Sequence, residues 1–320
     1  MNTTDENVTV NPKSESYHYS VAQIAYVCGM SINSILMIVF NATCLLVLRR
    51  TSEINYFTKI FMTSLTIADF FLGWLLIPMI ITIVAKTNHF VTPLQHTACL
   101  IHATFYMMVL SAGLMSLLAV TFDRYLHVSR PLRYNLIMTK TKACFIVLTC
   151  WIWPLLATVA YITTYSEALV FNKRSGYCFM DARDQSTAFV ILYTFSFAVI
   201  PLSVVIILYI KMLFIAKEHA TRMQRRVIHS GQSNNISSTR MIPHARALKT
   251  FLLITLGIGV THTPISVIYF YENFSSYANV EVHIVYACLV TMFLNHWFNC
   301  VVYYFQTTWF KTKFRTLFCR

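Results

Sequence analysis

Seven long apolar stretches, separated by short polar or basic segments, run along the chain. Each is close to or longer than the roughly 20 residues that a helix needs to cross the hydrocarbon core of a bilayer. The pattern therefore predicts an all-α fold, a bundle of seven transmembrane helices. We number the stretches spans one to seven, and they cover residues 21–48, 57–84, 99–122, 143–165, 186–216, 248–271 and 282–305.

Two segments flank this bundle of residues 21–305. Residues 1–20 are polar and acidic, and we expect them to form an extracellular N-terminus. Residues 306–320 alternate aromatic and basic side chains, a pattern typical of a helix lying in the membrane interface. The sequence thus predicts a short amphipathic eighth helix on the inner leaflet, followed by a short cytoplasmic tail.

The composition supports a membrane protein and gives no indication of an enzyme. Hydrophobic residues make up 57% of the chain and charged residues only 12%, about half the usual share of a soluble domain. A phosphate-binding P-loop, an HExxH pattern and a CxxC pair are all missing from the sequence. No internal repeat of the kind expected in a transporter is visible.

The distribution of basic residues predicts the orientation of the bundle. If the N-terminus is outside, 20 of the 25 Lys and Arg residues fall on inner loops and inner helix ends. Such a bias is typical of cytoplasmic loops. The basic inner face predicts contact with anionic lipid headgroups and with an acidic protein partner, rather than with nucleic acid. The five basic residues on the outer side are Lys13, Lys86, Lys173, Arg174 and Arg183.

Several residues are candidates for covalent modification on this topology. Asn2, Asn7 and Asn273 begin glycosylation triplets, which also arise by chance, and all three would lie outside. Cys99 and Cys178 are the two cysteines placed to pair in the oxidising extracellular space. Cys319 lies beside the basic amphipathic run, where it is either a palmitoylation site or a free thiol.

Two groups of charged residues lie in or at the edge of the predicted membrane. Asp123, Arg124 and Tyr125 follow one another at the inner end of span three, and Asp69 lies in the middle of span two. Charges near hydrocarbon are costly and usually have a function. We therefore expect the triplet to act as a switch, and Asp69 to be neutral, hydrated or paired with a cation.

An ordered set of residues identifies a resemblance to the rhodopsin-like (class A) G-protein-coupled receptors over about residues 21–320. Cys99 precedes Arg124 by 25 residues, which is the family spacing from disulfide cysteine to switch arginine. The segment 123–135 looks most like the amine and adenosine-like branches. The other matching residues are Asn41, Leu65, Ala68, Asp69, Trp151, Pro201, Tyr209, Pro264, Asn299, Tyr303 and Phe310.

The resemblance implies a receptor of the plasma membrane that converts binding of an extracellular small molecule into activation of a heterotrimeric G protein. The implied switch residues are Asp123, Arg124, Tyr125, Tyr209, Asn299 and Tyr303. Asp69, Asn295 and Asn299 would form a polar network that holds either a sodium ion or water alone. Gly113 replaces the serine that usually adds a sodium ligand from span three, and no other cofactor is implied.

The implied ligand pocket is aromatic and uncharged. Tyr106 stands where amine receptors place an aspartate, and Phe293 stands where opsins place the retinal lysine, so neither of those ligands is expected. A neutral or weakly polar small molecule fits better, although these aromatics could instead serve mainly to pack the helices. The pocket residues are Tyr106, Met107, Leu110, Tyr193, Phe197, His262, Ile265, Ser266, Tyr269, Leu289 and Phe293.

Besides Gly113, other positions depart from the family pattern, and three of them would support the switch. His244 replaces the acid that helps to hold the switch arginine, His262 replaces a tryptophan, and Cys300 replaces a proline. His262 is either a neutral hydrogen-bonded histidine or a pH sensor. These departures leave open a constitutively active or ligand-independent receptor-like protein, or a dimer partner, while a transporter is less favoured.

Overall fold

The computed structural model describes residues 20–84, 93–164, 169–172, 177–180, 187–230, 257–268, 271 and 280–318. Six of the helices in these ranges are long and apolar enough to cross a membrane, and they correspond to spans one to five and span seven. Residues 257–268 form a helical part of span six. The helices are α1 (Val21–Arg50), α2 (Tyr56–Val84), α3 (Pro93–Ser129), α4 (Tyr134–Ile137), α5 (Lys140–Thr164), α6 (Thr187–Thr194), α7 (Ile200–Ser230), α8 (257–268), α9 (Val282–Gln306) and α10 (Thr308–Phe318).

The ends of α1 follow ordinary capping rules. The Ser20 hydroxyl accepts a hydrogen bond from the Gln23 backbone N–H at 3.2 Å, and the Gln23 side chain accepts one from the Ser20 N–H at 3.1 Å. This reciprocal pair satisfies two backbone donors that a helix start leaves exposed. At the inner end, Lys59 donates to the carbonyls of Arg49 and Thr51. Its positive charge there also interacts favourably with the negative end of the helix dipole.

Small and polar side chains hold neighbouring spans together. The Ser34 hydroxyl donates to the Gly73 carbonyl at 2.9 Å, and a Cβ added at Gly73 would lie 2.9 Å from the Cβ of Met37. Only glycine permits this approach of α1 and α2. The Trp151 indole donates to the Ser64 hydroxyl, which also bonds Ser116, so one serine joins spans two, three and four.

A β-hairpin lies between α5 and α6 and was not part of the all-α prediction. Strand β1 (Leu169–Asn172) pairs antiparallel with β2 (Tyr177–Met180), and β2 contacts α3. Cys99 of α3 is disulfide-bonded, and Cys178 lies in β2. The hairpin brings the strand of Cys178 to the helix of Cys99, and the pairing of these two cysteines stays a prediction.

Span five is interrupted by one wider turn. Between α6 and α7, residues Phe195–Val199 form a π-helix, in which the Ile200 N–H donates to the Phe195 carbonyl. Pro201 follows directly, and proline has no N–H and crowds the carbonyl four residues before it. Widening of the turn relieves this conflict, and it leaves Phe197 buried in the bundle.

Candidate functional site

The inner end of the bundle is organised around Asp123, whose side chain is fully buried. Its Oδ2 accepts a hydrogen bond from the Thr58 hydroxyl of α2 at 2.6 Å. Its Oδ1 accepts one from the hydroxyl of Tyr134, in α4 of the second inner loop. Hydrogen bonds to an ionised acceptor are short and strong. Both oxygens of this buried carboxylate are therefore satisfied, from two other parts of the chain.

Tyr134 reaches Asp123 because the chain turns back after α3. A 3₁₀ turn over Pro131–Arg133 leads directly into α4. The Tyr134 ring packs against His127 of α3, with ring centroids 4.7 Å apart, and against Phe57 of α2 at 6.2 Å. Burial, followed by its hydrogen bond to Asp123, raises the pKa of the Tyr134 hydroxyl. Tyr134 therefore stays a protonated donor to the carboxylate.

The other predicted switch residues lie at the same end of the bundle. Arg124 and Tyr125 are half-buried. Tyr209 of α7 and Tyr303 of α9 are both buried, in one apolar cluster that also contains Leu126 of α3. The structure thus brings the predicted inner switch residues together on spans three, five and seven. Asn299, one turn before Tyr303, belongs to a different group deeper in the bundle.

The second inner loop presents an apolar side chain among basic ones. Leu132 is 96% exposed, although it is a large hydrophobic residue in the 3₁₀ turn next to the switch. An exposed leucine in such a place suits insertion into a partner's groove. The exposed basic residues of this loop and of the helix that follows it are Arg130, Arg133, Lys140 and Lys142.

The centre of the bundle contains a second buried carboxylate, Asp69, with an unexpected partner. His296 Nδ1 lies 2.7 Å from Asp69 Oδ1, and the two side chains are only 7% and 3% exposed. The Asn299 amide donates to the other oxygen, Oδ2, at 3.1 Å. Asp69 therefore accepts from two nitrogens of α9, on residues three positions apart and hence on one helix face.

His296 is itself held by neighbouring spans. Asn41 of α1 donates to the His296 backbone carbonyl at 3.1 Å. The rings of His262 and His296 meet edge to face, with centroids 5.7 Å apart, so α8 contacts the same imidazole. The sequence placed His262 in the ligand pocket, and the structure places it beside this central group.

Four polar atoms in this region have no hydrogen-bond partner among the residues that the structure describes. Buried polar atoms are almost always paired with protein or ordered water. The described residues therefore leave several polar atoms of this region unpaired. The atoms are Nε2 of His262, Nε2 of His296, Oδ1 of Asn295 and Oδ1 of Asn299.

The donors around Asp69 do not match a sodium site. A hard cation needs oxygen ligands, yet both Asp69 oxygens face ring or amide nitrogens. Asn295, one of the predicted ligands, directs its Oδ1 to within 3.1 Å of where a Gly257 Cβ would lie. Gly113 supplies no side-chain oxygen at all.

Some hydroxyls of the residues predicted to line the ligand pocket already have internal partners. The Tyr193 hydroxyl lies 2.9 Å from the hydroxyl of Ser111 and 3.0 Å from that of Thr158, so it joins spans three, four and five. Ser266 donates to the carbonyl of His262 on its own helix at 2.9 Å. Both hydroxyls would have to exchange a bond to reach a ligand.

The apolar members of the predicted pocket vary in burial. Phe197, Leu289 and Phe293 are buried, and Tyr106 packs against Phe293 with ring centroids 6.4 Å apart. Met107, Leu110 and Ile265 are half-buried. Part of the set therefore packs between helices, as the alternative interpretation expected.

Some predicted sites fall on parts of the chain outside the described residues. The predictions on these residues stay predictions. They are the glycosylation sites Asn2, Asn7 and Asn273, the pocket residue Tyr269, the altered lock position His244 and the lipidation site Cys319.

With this geometry established, the chain can be compared with known proteins. The family model "7 transmembrane receptor (rhodopsin family)" matches residues 40–303. The chain belongs to this family. It is therefore a multi-pass membrane receptor and not an enzyme, as the sequence predicted.

Relatives of this receptor include several adenosine receptors. The chain is 24% identical to adenosine receptor A3 of Canis lupus familiaris over 93% of its length and 92% of the relative. It is 23% identical to adenosine receptor A2b of Gallus gallus over 83% of its length and 80% of the relative. It is 22% identical to adenosine receptor A2a of Canis lupus familiaris over 83% of its length, and there it spans 65% of the relative.

Proposed function

We propose that this receptor lies in the plasma membrane with its N-terminus outside, and that it converts binding of an extracellular small molecule into activation of a heterotrimeric G protein. The observation that carries the proposal is the inner end of the bundle. A buried carboxylate, Asp123, is held by Thr58 and Tyr134 directly beside Arg124. Exposed Leu132 lies eight residues further on.

This arrangement suits an output switch. Arg124 carries planar N–H donors that can exchange partners when span six moves away from span three. The loop of Leu132 offers an apolar contact surrounded by basic residues, which complements an amphipathic, acidic partner helix. The C-terminal helix of a G protein α subunit is a partner of that chemistry.

The proposed ligand is neutral or weakly polar rather than a cationic amine. Tyr106 lies half-buried on α3 against Phe293, and the described pocket residues carry no carboxylate to pair with an ammonium group. The names of the relatives make a nucleoside the first compound class to examine. Tyr269, where adenosine receptors have an asparagine, argues that adenosine itself is not the best member of that class.

A G-protein activation assay in intact cells tests the proposal. The receptor, Arg124→Ala and Asp69→Asn are compared at matched surface expression, with and without a library of nucleosides and other neutral small molecules. We expect ligand-dependent activation that falls at least about tenfold in Arg124→Ala. Equal activation by the receptor and Arg124→Ala would contradict the proposed switch.

The partner surface is tested in the same assay with a matched pair of leucines. Leu132→Ala removes the exposed apolar contact next to the switch, and we expect it to lower G-protein activation several-fold. Leu136→Ala changes a residue of α4 that is also exposed, on the same loop, and serves as the control. A loss of similar size in both variants would mean that the loop as a whole, rather than Leu132, is needed.

A second candidate is a receptor that signals without a ligand, or one that acts as a dimer partner. It is favoured by His262 and Cys300 in place of the usual trigger residues, and by the internal bonds of Tyr193 and Ser266. Strong activity without ligand that disappears in Arg124→Ala would favour the constitutive receptor. Silence with every G protein and compound would favour the dimer partner.

A further inference from the structure

We infer that the His296 imidazole takes the place of a cation at Asp69, so that this receptor holds its central buried carboxylate without a sodium ion. The inference concerns the middle of the bundle, and it depends on neither the ligand nor the G protein proposed above. Three features of the geometry lead to it.

The first feature is the position of the ring. Nδ1 of His296 lies 2.7 Å from Oδ1 of Asp69, within the range of a strong hydrogen bond to an ionised acceptor. The ring nitrogen therefore occupies one of the positions around that oxygen that a cation would take. Both side chains are almost fully buried, so the carboxylate requires a partner, and the imidazole supplies it.

The second feature is the set of neighbouring donors. Asn299 presents its amide nitrogen to Asp69, and its Oδ1 has no partner among the described residues. Asn295 Oδ1 is likewise without a described partner and lies close to Gly257 of α8. Gly113 has no side chain, so this position of α3 contributes no side-chain oxygen. An added Cβ at Gly113 would meet only the Cβ of Ala68, at 3.6 Å. Both groups that bond the Asp69 carboxylate are therefore nitrogen donors, and N–H donors do not coordinate cations.

The third feature is that the imidazole is fixed in place. The Asn41 amide holds the His296 backbone carbonyl, and the rings of His262 and Phe293 lie against the imidazole with centroids 5.7 Å and 6.0 Å away. Contacts from spans one, six and seven thus keep the ring beside Asp69. His262 belongs to span six. A movement of that span would therefore be transmitted to Asp69 through the contact of the His262 ring with the His296 ring.

The test is the thermal unfolding of the purified, ligand-free receptor in detergent. Sodium chloride is titrated against choline chloride at constant ionic strength and pH. We expect the midpoint of the wild-type receptor to differ by less than about 1 °C between the two salts. His296→Ser removes the ring and adds a hydroxyl, and we expect it to gain a saturable sodium-dependent rise of roughly 2–4 °C at about ten times the Kd.

Two further variants locate the effect. Asp69→Asn combined with His296→Ser should lose the gained sodium response, because the anionic ligand is then missing. His283→Ser changes an exposed histidine at the outer end of the same helix and should behave as the wild type.

A saturable, sodium-specific rise in the wild-type receptor that disappears in Asp69→Asn would overturn the inference. A folded His296→Ser variant with no sodium response would also overturn it, because the imidazole would then not be what excludes the ion. If His296→Ser does not fold, the wild-type and Asp69→Asn titrations decide alone. Failure of the receptor to signal in cells would leave this result unaffected.

Discussion

The two buried carboxylates of this receptor are held in different ways. Asp123, at the inner end, accepts from two hydroxyls, those of Thr58 and Tyr134. Asp69, in the middle, accepts from an imidazole and an amide, and polar atoms of the same residues are left without described partners. We call the two hydroxyls around Asp123 the hydroxyl cage. Asp69 and His296 instead form an acid–base pair, in a polar cluster that includes atoms without described hydrogen-bond partners.

The difference shows which part of the family machinery has changed in this chain. The inner site holds its carboxylate with two hydroxyl donors, so the position of Asp123 is set by the geometry of Thr58 and Tyr134. The central site holds its carboxylate with an imidazole and an amide from one helix. The inner site at Asp123 and the central site at Asp69 therefore depend on different chemistry, and the variants below test that contrast.

The largest effect is expected from removing the partner of Asp69. His296→Ala leaves a buried carboxylate with one amide donor, and breaking a buried pair from one side costs about 3–5 kcal/mol. The free energy of unfolding, measured with denaturant in detergent, should fall by this amount. His283→Ala, an exposed change on the same helix, should have almost no effect. A loss below about 1 kcal/mol for His296→Ala would mean that Asp69 is stabilised mainly by other groups.

A smaller loss is expected at the hydroxyl cage. Tyr134→Phe keeps the ring contacts with His127 and Phe57 and removes one hydrogen bond to Asp123, so it should cost about 1–3 kcal/mol. Because Thr58 binds the other oxygen of the same carboxylate, Thr58→Val and Tyr134→Phe should be non-additive in a double-mutant cycle. Strictly additive losses would show that the two hydroxyls act independently and that no cage exists.

A loss of about 1 kcal/mol is expected from Tyr193→Phe in the outer part of the bundle. The change removes the hydroxyl that lies between Ser111 and Thr158 but keeps the ring contact with Phe197. The midpoint of thermal unfolding should fall by roughly 2–4 °C. An unchanged midpoint would indicate that the hydroxyl is available to a ligand rather than engaged in joining three spans.

The smallest effect distinguishes two glycines of α8. An added Cβ at Gly259 meets nothing within 4 Å, so Gly259→Ala should stabilise the helix by about 0.5–1 kcal/mol. An added Cβ at Gly257 lies 3.1 Å from Asn295 Oδ1, so Gly257→Ala should gain less or destabilise. Thermal unfolding of both variants checks this. Equal gains would show that Asn295 adjusts freely and that the central cluster is loosely packed around it.

Much of the architecture could be predicted from the sequence because membrane spanning imposes a simple pattern. The start of span one and the whole of span seven to within a residue follow from apolar length alone. The hairpin before α6 could not be predicted in this way, since four-residue strands in a polar loop leave little periodic signal. The sequence did not predict the π-helix either, although Pro201 is among the residues that match the family.

The partners of the two carboxylates were harder to predict than the carboxylates themselves. His296 was overlooked because a lone histidine in a span resembles a packed core residue. Its position three residues before Asn299 was the signal that could have revealed it, because that spacing puts both on the face turned to Asp69. Thr58 and Tyr134 carried no such signal, since their contacts depend on how the inner loop folds back.

The π-helix at Phe195–Val199 divides span five into two helical parts, and it sets how far one part is rotated about the helix axis relative to the other. One additional residue in a turn rotates everything before it by about 100° relative to an unbroken α-helix. Tyr193 therefore faces Thr158 only because of that extra residue, while Tyr209 keeps its setting in the inner cluster. A one-residue deletion between these two tyrosines would rotate the outer half of the span about its helix axis and leave the inner half in place.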